Sequence, residues 1–545
     1  MKLLRKKVAT LKHKTALPAQ NKQQLSVVRG KWLRVLTYIF LALLVLTTAT
    51  VLAATFRGKP TADGTGIYYQ TQAEWLTEVL SPFESSNTSS RYALVDAIVN
   101  NHSFNLNLQQ ARFAAPDAVY INDRFSSIFT PGVAFIAAPF YFLGQQFGMA
   151  QVFTFTSTIL FACLNGLLIY ILARKMHVGV YAAVFGSTVF LLASNGLAYA
   201  HSLTQHHLST LMILSALLLA THKPGIVRNL LFGATLGIAL LCDIPNVFLL
   251  LPVGLYAVWQ HFTTAQLGTK TAVSVNLRLL VIAIGIVPFF AAFLAYNQST
   301  LGSPATYAQM FMRTDYFDSE EKKAEHLEGL KNIDPYEDKL PLGTRQQLNS
   351  TYILLLSDER SWLYYSPIIL IGVLGLIAAL RQTSDSATKT LAVLFAATIL
   401  MNIVVYSMFG DPWGGWSFGP RYLIPAAAIL SVLVAYSSEM WKSKKLFVVL
   451  CILLAVYSTA VSVLGSVTTL TIPPKVEADQ LQNYIPHTYQ YNLNLLRAGK
   501  SSSLLFNSLL HRYMSAYQYW ILVSALSSTV LIALILRSSI EGKRS

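Results

Sequence analysis

The sequence predicts an all-α polytopic integral membrane protein. Three observations carry that reading. The 545 residues are 54% apolar and only 12% charged, whereas a soluble domain carries about 25% charge. Several apolar stretches approach the ~20 residues that a helix needs to cross a bilayer. Lysine and arginine collect in alternate connecting segments, the pattern of the positive-inside rule. This distribution also accounts for the net charge of +16, so the basic balance does not point to a nucleic-acid partner.

The elements follow in order. Residues 1–32 form a basic cytoplasmic tail; up to Arg34 there are ten Lys/Arg and no acid. The first apolar stretch, 33–54, exceeds the ~7–15 residues of a cleavable signal core and is expected to stay as a transmembrane anchor. A first extracytoplasmic loop, 55–149, carries interfacial helices. Transmembrane helices 2–7 occupy 150–296 as 150–173, 179–195, 207–221, 228–241, 244–260 and 278–296. A strongly charged outer loop covers 297–362. Helices 8–11 occupy 363–468 as 363–381, 388–408, 421–440 and 445–468. A Tyr- and Asn-rich outer loop covers 469–517, a last helix 518–536, and a short cytoplasmic tail 537–545.

That makes about twelve spans. With the N-terminus inside, the cytoplasmic segments hold 24 of the 41 Lys/Arg and three of the 25 acids. The run FTPGVAFIAAPFYFLG (129–144) is short and contains two prolines, and reads as interfacial or re-entrant. Counting it as a span would invert every later loop and place RKMH and WKSKK outside. Cys163, Cys242 and Cys451 all lie in apolar runs and read as packing residues. No Walker loop, GxGxxG, HExxH or DxD is present, so neither a soluble nucleotide site nor a metal site is expected, and no cofactor.

Ionisable residues pressed against span ends are costly there, and point to function. On the expected topology they share the outer face: Glu84, Arg91, Asp96, Asp117, Asp123 and Arg124 in the first loop; His201, His206 and His207 in the 195–207 turn; Asp243 at the CDIPN break; SDER at 357–360; and Asp411 and Arg421 around the tenth span. Each has a plainer reading. The histidines can be interfacial hydrogen-bonders, Asp243 a helix cap, Trp413 and Trp416 an aromatic belt, and Arg421 a snorkelling cation. Their convergence would suit an anionic lipid headgroup with a base nearby.

Several of these stretches, in order, resemble the GT-C membrane glycosyltransferases, and within them the protein mannosyltransferase and lipid A aminoarabinose transferase group. They are SSRYALVDAIVNNHSF, PDAVYINDRFSSIFTPGVAFIAAPFYFLG, CDIPNVFLLLP, YNQSTLGSPATY, LLLSDERSWLYYSPIILIGVLGL and GDPWGGWSFGPRYLIPA, and they cover most of 33–440. The resemblance implies a GT-C-like fold and transfer of a sugar from a polyprenyl-phosphate donor, with inversion, to a lipid, glycan or protein acceptor on the outer face of the cell membrane. It implies a first-loop carboxylate as base, for which Asp117 is the first choice and Asp123 and Glu84 are reserves. Arg91 and Arg421 would hold the donor phosphate, assisted by Arg124 and by His206 or His207. Asp243, Asp411, Trp413 and Trp416 would meet the donor or acceptor headgroup.

Two departures stand out. The segment before Arg91 is NTSS (87–90), where the mannosyltransferase branch carries acids, and Ile128 and Phe129 replace an Asp-Lys pair. They keep two other readings open: a lipid or glycan transporter or flippase, and a catalytically inactive scaffold of envelope assembly. No internal repeat of the kind carriers often show is visible.

Overall fold

The computed structural model describes residues 39–58, 80–267, 270–311, 344–409 and 411–542. The basic tail, the charged run 315–339, Gly410 and the last three residues lie outside the described residues. The chain divides into two units, Met1–Val51 and Leu52–Ser545. Of the first, residues 39–51 are described and are helical.

The chain is mostly helical, as expected for a backbone that must satisfy its own hydrogen bonds in lipid. In chain order the helices are α1 (Ile39–Ala54), α2 (Ser86–Asn100), α3 (Leu108–Ala114), α4 (Gly132–Gln145), α5 (Ala150–Lys175), α6 (Val180–Leu192), α7 (Asn195–Tyr199), α8 (His206–Ala220), α9 (Ile226–Cys242), α10 (Asn246–Leu249), α11 (Leu251–Trp259) and α12 (Leu280–Leu301). They continue with α13 (Thr344–Leu355), α14 (Trp362–Tyr365), α15 (Ile371–Arg381), α16 (Ser386–Met408), α17 (Ile424–Met440), α18 (Lys445–Val467), α19 (Lys475–Ala478), α20 (Gln490–Arg497), α21 (Leu504–Ser508) and α22 (Ala516–Gly542).

Among the described residues, helix is found within each stretch read as a span. Among the described residues six helices are individually long and apolar enough to cross a bilayer: those over Ala150–Lys175, Leu277–Leu301, Ser386–Met408, Arg421–Met440, Lys445–Val467 and Ala516–Glu541. The others are shorter apolar helices, and the 244–260 stretch is split into α10 and α11. α4 has only 14 residues with Pro139 inside, too few to span without help.

Two antiparallel hairpins qualify the all-α expectation. β1 (Ala118–Ile121) pairs with β2 (Arg124–Ser127), joined by Asn122 and Asp123, both at positive φ (51° and 60°). Two such residues make the turn that matches the twist of a tight hairpin, and Asn-Asp tolerates it. β3 (Phe262–Leu267) pairs with β4 (Lys270–Val275) in the α11–α12 connection. The cysteine reading also needs one correction: Cys242 and Cys451 are buried, but Cys163 is exposed on α5.

α17 is the central helix: 89% of its apolar window is buried. Small residues let its neighbours approach backbone to backbone. A Cβ on Gly186 of α6 would collide with the Ser431 carbonyl oxygen, and one on Gly375 of α15 with that of Leu433. The residues preceding α17, Arg421–Leu423, form a single 3-10 turn, so Arg421 stands at the entrance to the most enclosed of the six long apolar helices.

The first loop packs in a core that it shares with α5. Phe83 meets Tyr92, Phe113 and Phe155 at ring centroid distances of 4.8, 5.0 and 5.7 Å. Asp96 of α2 accepts from Tyr141 Oη at 2.6 Å, from Asn100 Nδ2 at 2.6 Å and from Gln110 Nε2, joining α2 to α3 and α4. A second polar knot joins this loop to the 469–517 segment. Buried Arg57 pairs with Glu84 at 2.5 Å and donates to the carbonyls of Gly465 and Ser466 at 3.2 and 3.4 Å. Glu84 also accepts from Thr469 Oγ1 at 2.7 Å and Leu470 N at 2.5 Å.

A buried pair with every lone pair used is strongly destabilised when one partner goes, because the other charge is left enclosed. Arg57→Met is expected to cost about 3–5 kcal/mol, read as a lowered thermal midpoint of the detergent-solubilised protein. Combining it with Glu84→Leu is expected to recover part of that loss.

Candidate functional site

Five separate parts of the chain supply one polar cluster. α2 supplies Arg91, fully buried at 1% exposure. The segment before the β1–β2 hairpin supplies Asp117, the turn into α8 supplies Gln205 and His206, and the α9–α10 break supplies Asp243. Arg421 comes from the entrance to α17.

Their mutual influence is electrostatic. Arg91 feels Asp243, Asp117 and Arg421. His206 feels both Arg421 and Arg91. Asp243 feels both guanidiniums and accepts from Gln205 Nε2 at 3.2 Å.

Local chemistry explains each placement. Asp243 ends α9 in extended conformation (φ −169°, ψ 133°), because Pro245 two residues on disfavours continued helix at Ile244. Gly132 starts α4 against that helix end: a Cβ there would lie 2.5 Å from the Leu241 carbonyl oxygen. Ser86 Oγ donates to Asp117 Oδ2 at 2.8 Å, and Ser90 Oγ to the Asp117 carbonyl at 2.6 Å, so α2 fixes Asp117. Thr88 and Ser202 hydroxyls meet at 2.8 Å and join α2 to the turn that precedes α8. The guanidinium carbon of Arg91 sits 3.7 Å from the ring centroid of Phe129, a cation–π contact, while its Nη1 donates to Asn87 Oδ1 at 2.8 Å. Phe129 thus acts as a platform for Arg91.

Arg421 is framed by aromatic rings. Its guanidinium carbon lies 5.3 Å from the Tyr422 ring centroid. Tyr422 stacks on Tyr406 of α16 at 4.4 Å and 9°, and His206 meets Tyr199 and Tyr422 edge-on at 5.4 and 6.3 Å. Gly414, at φ +69°, leaves the space that Arg421 fills: a Cβ there would stand 2.6 Å from its Nε. Asp411 accepts from the N–H groups of Gly414 and Gly415 at 3.0 and 2.7 Å, closing the turn and placing a carboxylate in range of Arg421.

The cluster is under-satisfied. Arg91 Nε, Arg421 Nε, His206 Nε2, Gln205 Oε1, Thr130 Oγ1 and Thr204 Oγ1 are buried without a hydrogen-bond partner. Buried polar atoms are otherwise paired in nine cases of ten or so. Burial pulls Arg91 down to about 10, opposed by Asp243 and Asp117. Burial also raises the Asp243 carboxyl to about 6, opposed first by Arg91, then by Gln205 and Arg421. An arrangement of two cations, imperfectly paired, with donors turned inward, fits an anion.

Other residues named from the sequence have structural places. Glu84 is held in the knot with Arg57. Asp123 lies at the exposed hairpin tip and accepts from Tyr120 Oη at 3.0 Å, and Arg124, also exposed, donates to the Ser299 carbonyl at 3.3 Å. His207 is buried with Nε2 2.8 Å from the Gly196 carbonyl oxygen and Nδ1 3.4 Å from Asn165 Nδ2. The buried His201, pushed down to about 3 by burial and by Arg57, bonds Thr55 Oγ1 at 2.8 Å. Trp413 and Trp416 donate through Nε1 to Glu359 at 2.8 Å and Glu477 at 2.5 Å, anchoring the turn to neighbouring segments.

Sequence reasoning missed Gln205, Tyr199, Tyr406 and Tyr422 as site members. A tyrosine beside a span reads as interfacial, and no spacing marks Tyr406 as facing Arg421. It also left Arg360 within the SDER string. Arg360 is fully buried and donates to the carbonyls of Glu359, Trp413, Gly415 and Ile472 at 2.8, 3.1, 3.4 and 2.8 Å. It fixes the turn that carries Arg421.

The fold and cluster define a multi-pass, mostly helical membrane protein. No protein-family model matches the sequence, and no curated protein matches it. Among solved structures, the chain is similar to ArnT from Cupriavidus metallidurans bound to undecaprenyl phosphate. That match has a TM-score of 0.44 and 14% identity, over 92% of this chain and 77% of that one. It is also similar to the Archaeoglobus fulgidus oligosaccharyltransferase tethered to an acceptor peptide. There the TM-score is 0.41 and the identity 12%, over 90% of this chain and 55% of that one.

Lysine presents a compact ammonium, not a planar fork, so Arg360→Lys cannot reach four carbonyls. It is expected to lose roughly 2–4 kcal/mol at about 1.5–3 kcal/mol per charged hydrogen bond. The measurement is the thermal midpoint, with protease cleavage within 411–420 as a second readout.

Proposed function

We propose that the protein is a GT-C-type glycosyltransferase that moves a sugar from a polyprenyl-phosphate donor to a lipid, glycan or protein acceptor on the outer face of the membrane. The observation that carries this is the convergence of Arg91 and Arg421, from positions 330 residues apart in the chain, into one cluster in which each keeps a buried Nε without a partner. The ordered motifs that resemble the GT-C enzymes support it from the sequence.

In this reading the donor's phosphate takes hydrogen bonds from Arg91, Arg421 and His206. The two guanidiniums stabilise the charge that grows on the leaving phosphate. Asp117, in range of Arg91 and fixed by Ser86, takes the proton of the acceptor hydroxyl. The acceptor oxygen bonds to the anomeric carbon from the face opposite the phosphate, the carbon–oxygen bond to phosphate breaks, and that electron pair leaves with the lipid phosphate. The configuration inverts. Asp243 feels both arginines, which puts it on the leaving-group side and makes it the poorer base. Asp411, Trp413 and Trp416 shape the turn beside the donor headgroup, and both termini are cytoplasmic.

The test is transfer by the purified chain in liposomes, using a panel of radiolabelled polyprenyl-phosphate hexoses and pentoses with envelope lipids and proteins as acceptors. Arg421→Ala and Arg91→Ala are expected to abolish transfer. Asp117→Asn is expected to lower it by about 10²–10⁴-fold, the usual worth of a positioned base, with an unchanged thermal midpoint. Labelled lipid that crosses the bilayer without any glycosylated product would overturn the enzyme in favour of a flippase.

A further inference from the structure

Resting on that reading, we propose that Asp243 binds the donor phosphate only in its neutral form, as a third hydrogen-bond donor beside Arg91 and Arg421, so that donor binding takes up a proton. Asp243 is 7% exposed, and its side chain has one side-chain hydrogen bond, from Gln205. It feels both guanidiniums, and so stands as their shared counter-charge. A phosphate arriving at the same two arginines brings a second negative charge to that carboxylate. Two anions this close in a buried place cannot both stay ionised without large cost; one takes a proton.

The donor is a phosphodiester, which stays ionised at all relevant pH. The proton therefore goes to Asp243, whose carboxyl then donates to a phosphate oxygen. A charge-assisted bond replaces a repulsion, and Gln205 turns its amide to hold the remaining carboxyl oxygen. The groups that face Asp243 agree with this. Arg91 comes from α2, Arg421 and Tyr422 from the entrance to α17, Tyr406 from α16, and Cys242 precedes it on α9. His206 stands beside the arginines. Of these, Cys242 and the tyrosines are neutral at physiological pH and the arginines remain charged; Asp117, which faces Arg91, and Asp411, which faces Arg421, are the other carboxylates of the site, and the Asp243→Asn variant separates their proton uptake from that of Asp243.

The sign follows from linkage. Burial raises the Asp243 carboxyl to about 6, so below that pH it is already neutral and binding takes up little. Above it each bound donor must take up a proton, and affinity falls up to about tenfold per pH unit.

The experiment measures binding of farnesyl methyl phosphate, a singly charged phosphodiester that does not titrate between about pH 5 and about pH 8, to the full chain in nanodiscs by calorimetry. The wild type is expected to lose affinity above about pH 6, with proton uptake seen as a dependence of the heat on buffer ionisation enthalpy. Asp243→Asn keeps the neutral hydrogen-bonding shape, and is expected to bind with flat pH dependence at the wild type's low-pH affinity. His206→Gln is expected to keep the slope. A flat wild-type profile, a slope surviving in Asp243→Asn, or a slope lost in His206→Gln alone would each overturn the proposal. If Arg421→Ala and Arg91→Ala bind the probe as tightly as wild type, the reading of the site as a phosphate site fails instead.

Discussion

The structure turns on two arginines enclosed together. Arg91 and Arg421 repel each other, and each loses hydration on burial. Such a pair persists only if the surroundings return what water gave. Asp243, Asp117 and Asp411 supply counter-charge in range, and Phe129, Tyr422 and Tyr406 supply ring faces or walls. The compensation is incomplete, because both Nε atoms lack a partner. It is this incompleteness that the proposed phosphate, with its several acceptor oxygens, would make good.

Much of the remaining architecture serves to hold these two residues in place. Arg91 is fixed because α2 is zipped to α3 and α4 through Asp96 and to the hairpin segment through Ser90. Arg421 is fixed because α17 is packed on all sides through small residues, and because Arg360 grips four carbonyls around the turn before it. The Arg57–Glu84 knot closes the first outer loop onto the start of the third. The charged residues thus divide sharply. Arg57 and Arg360 have a partner at each guanidinium nitrogen, whereas Arg91 and Arg421 each keep an orphaned Nε.

That division sets what could be read from residue order alone. The helical character was legible because a lipid-embedded backbone has few alternatives to helix, and long, mainly apolar stretches mark it. Arg91, Arg421, Asp117, Asp243 and His206 were legible because ionisable groups at span ends are costly. Glu84 and His207 carry the same signal. Their difference lies in the partners that reach them, Arg57, Thr469 and Leu470 for one and Gly196 for the other. Those partners are distant in sequence and have no motif. Asp123 likewise looked like a candidate base; it stands at positive φ in a two-residue turn. The β3–β4 hairpin was missed because its polar, threonine-rich strands lie in a segment that charge alone marked as a loop.

The sequence by itself determined that this is a helical membrane protein and which residues pay to be charged beside the bilayer, since composition and periodicity report solvation directly. Only the tertiary structure decided which of those charges are paired. Pairing depends on atoms brought within a few ångströms from segments hundreds of residues apart, and nothing local in the chain encodes that distance. Arg360 and Arg421 show it plainly: two arginines sixty-one residues apart, one with four carbonyls around its guanidinium and the other with its Nε left open.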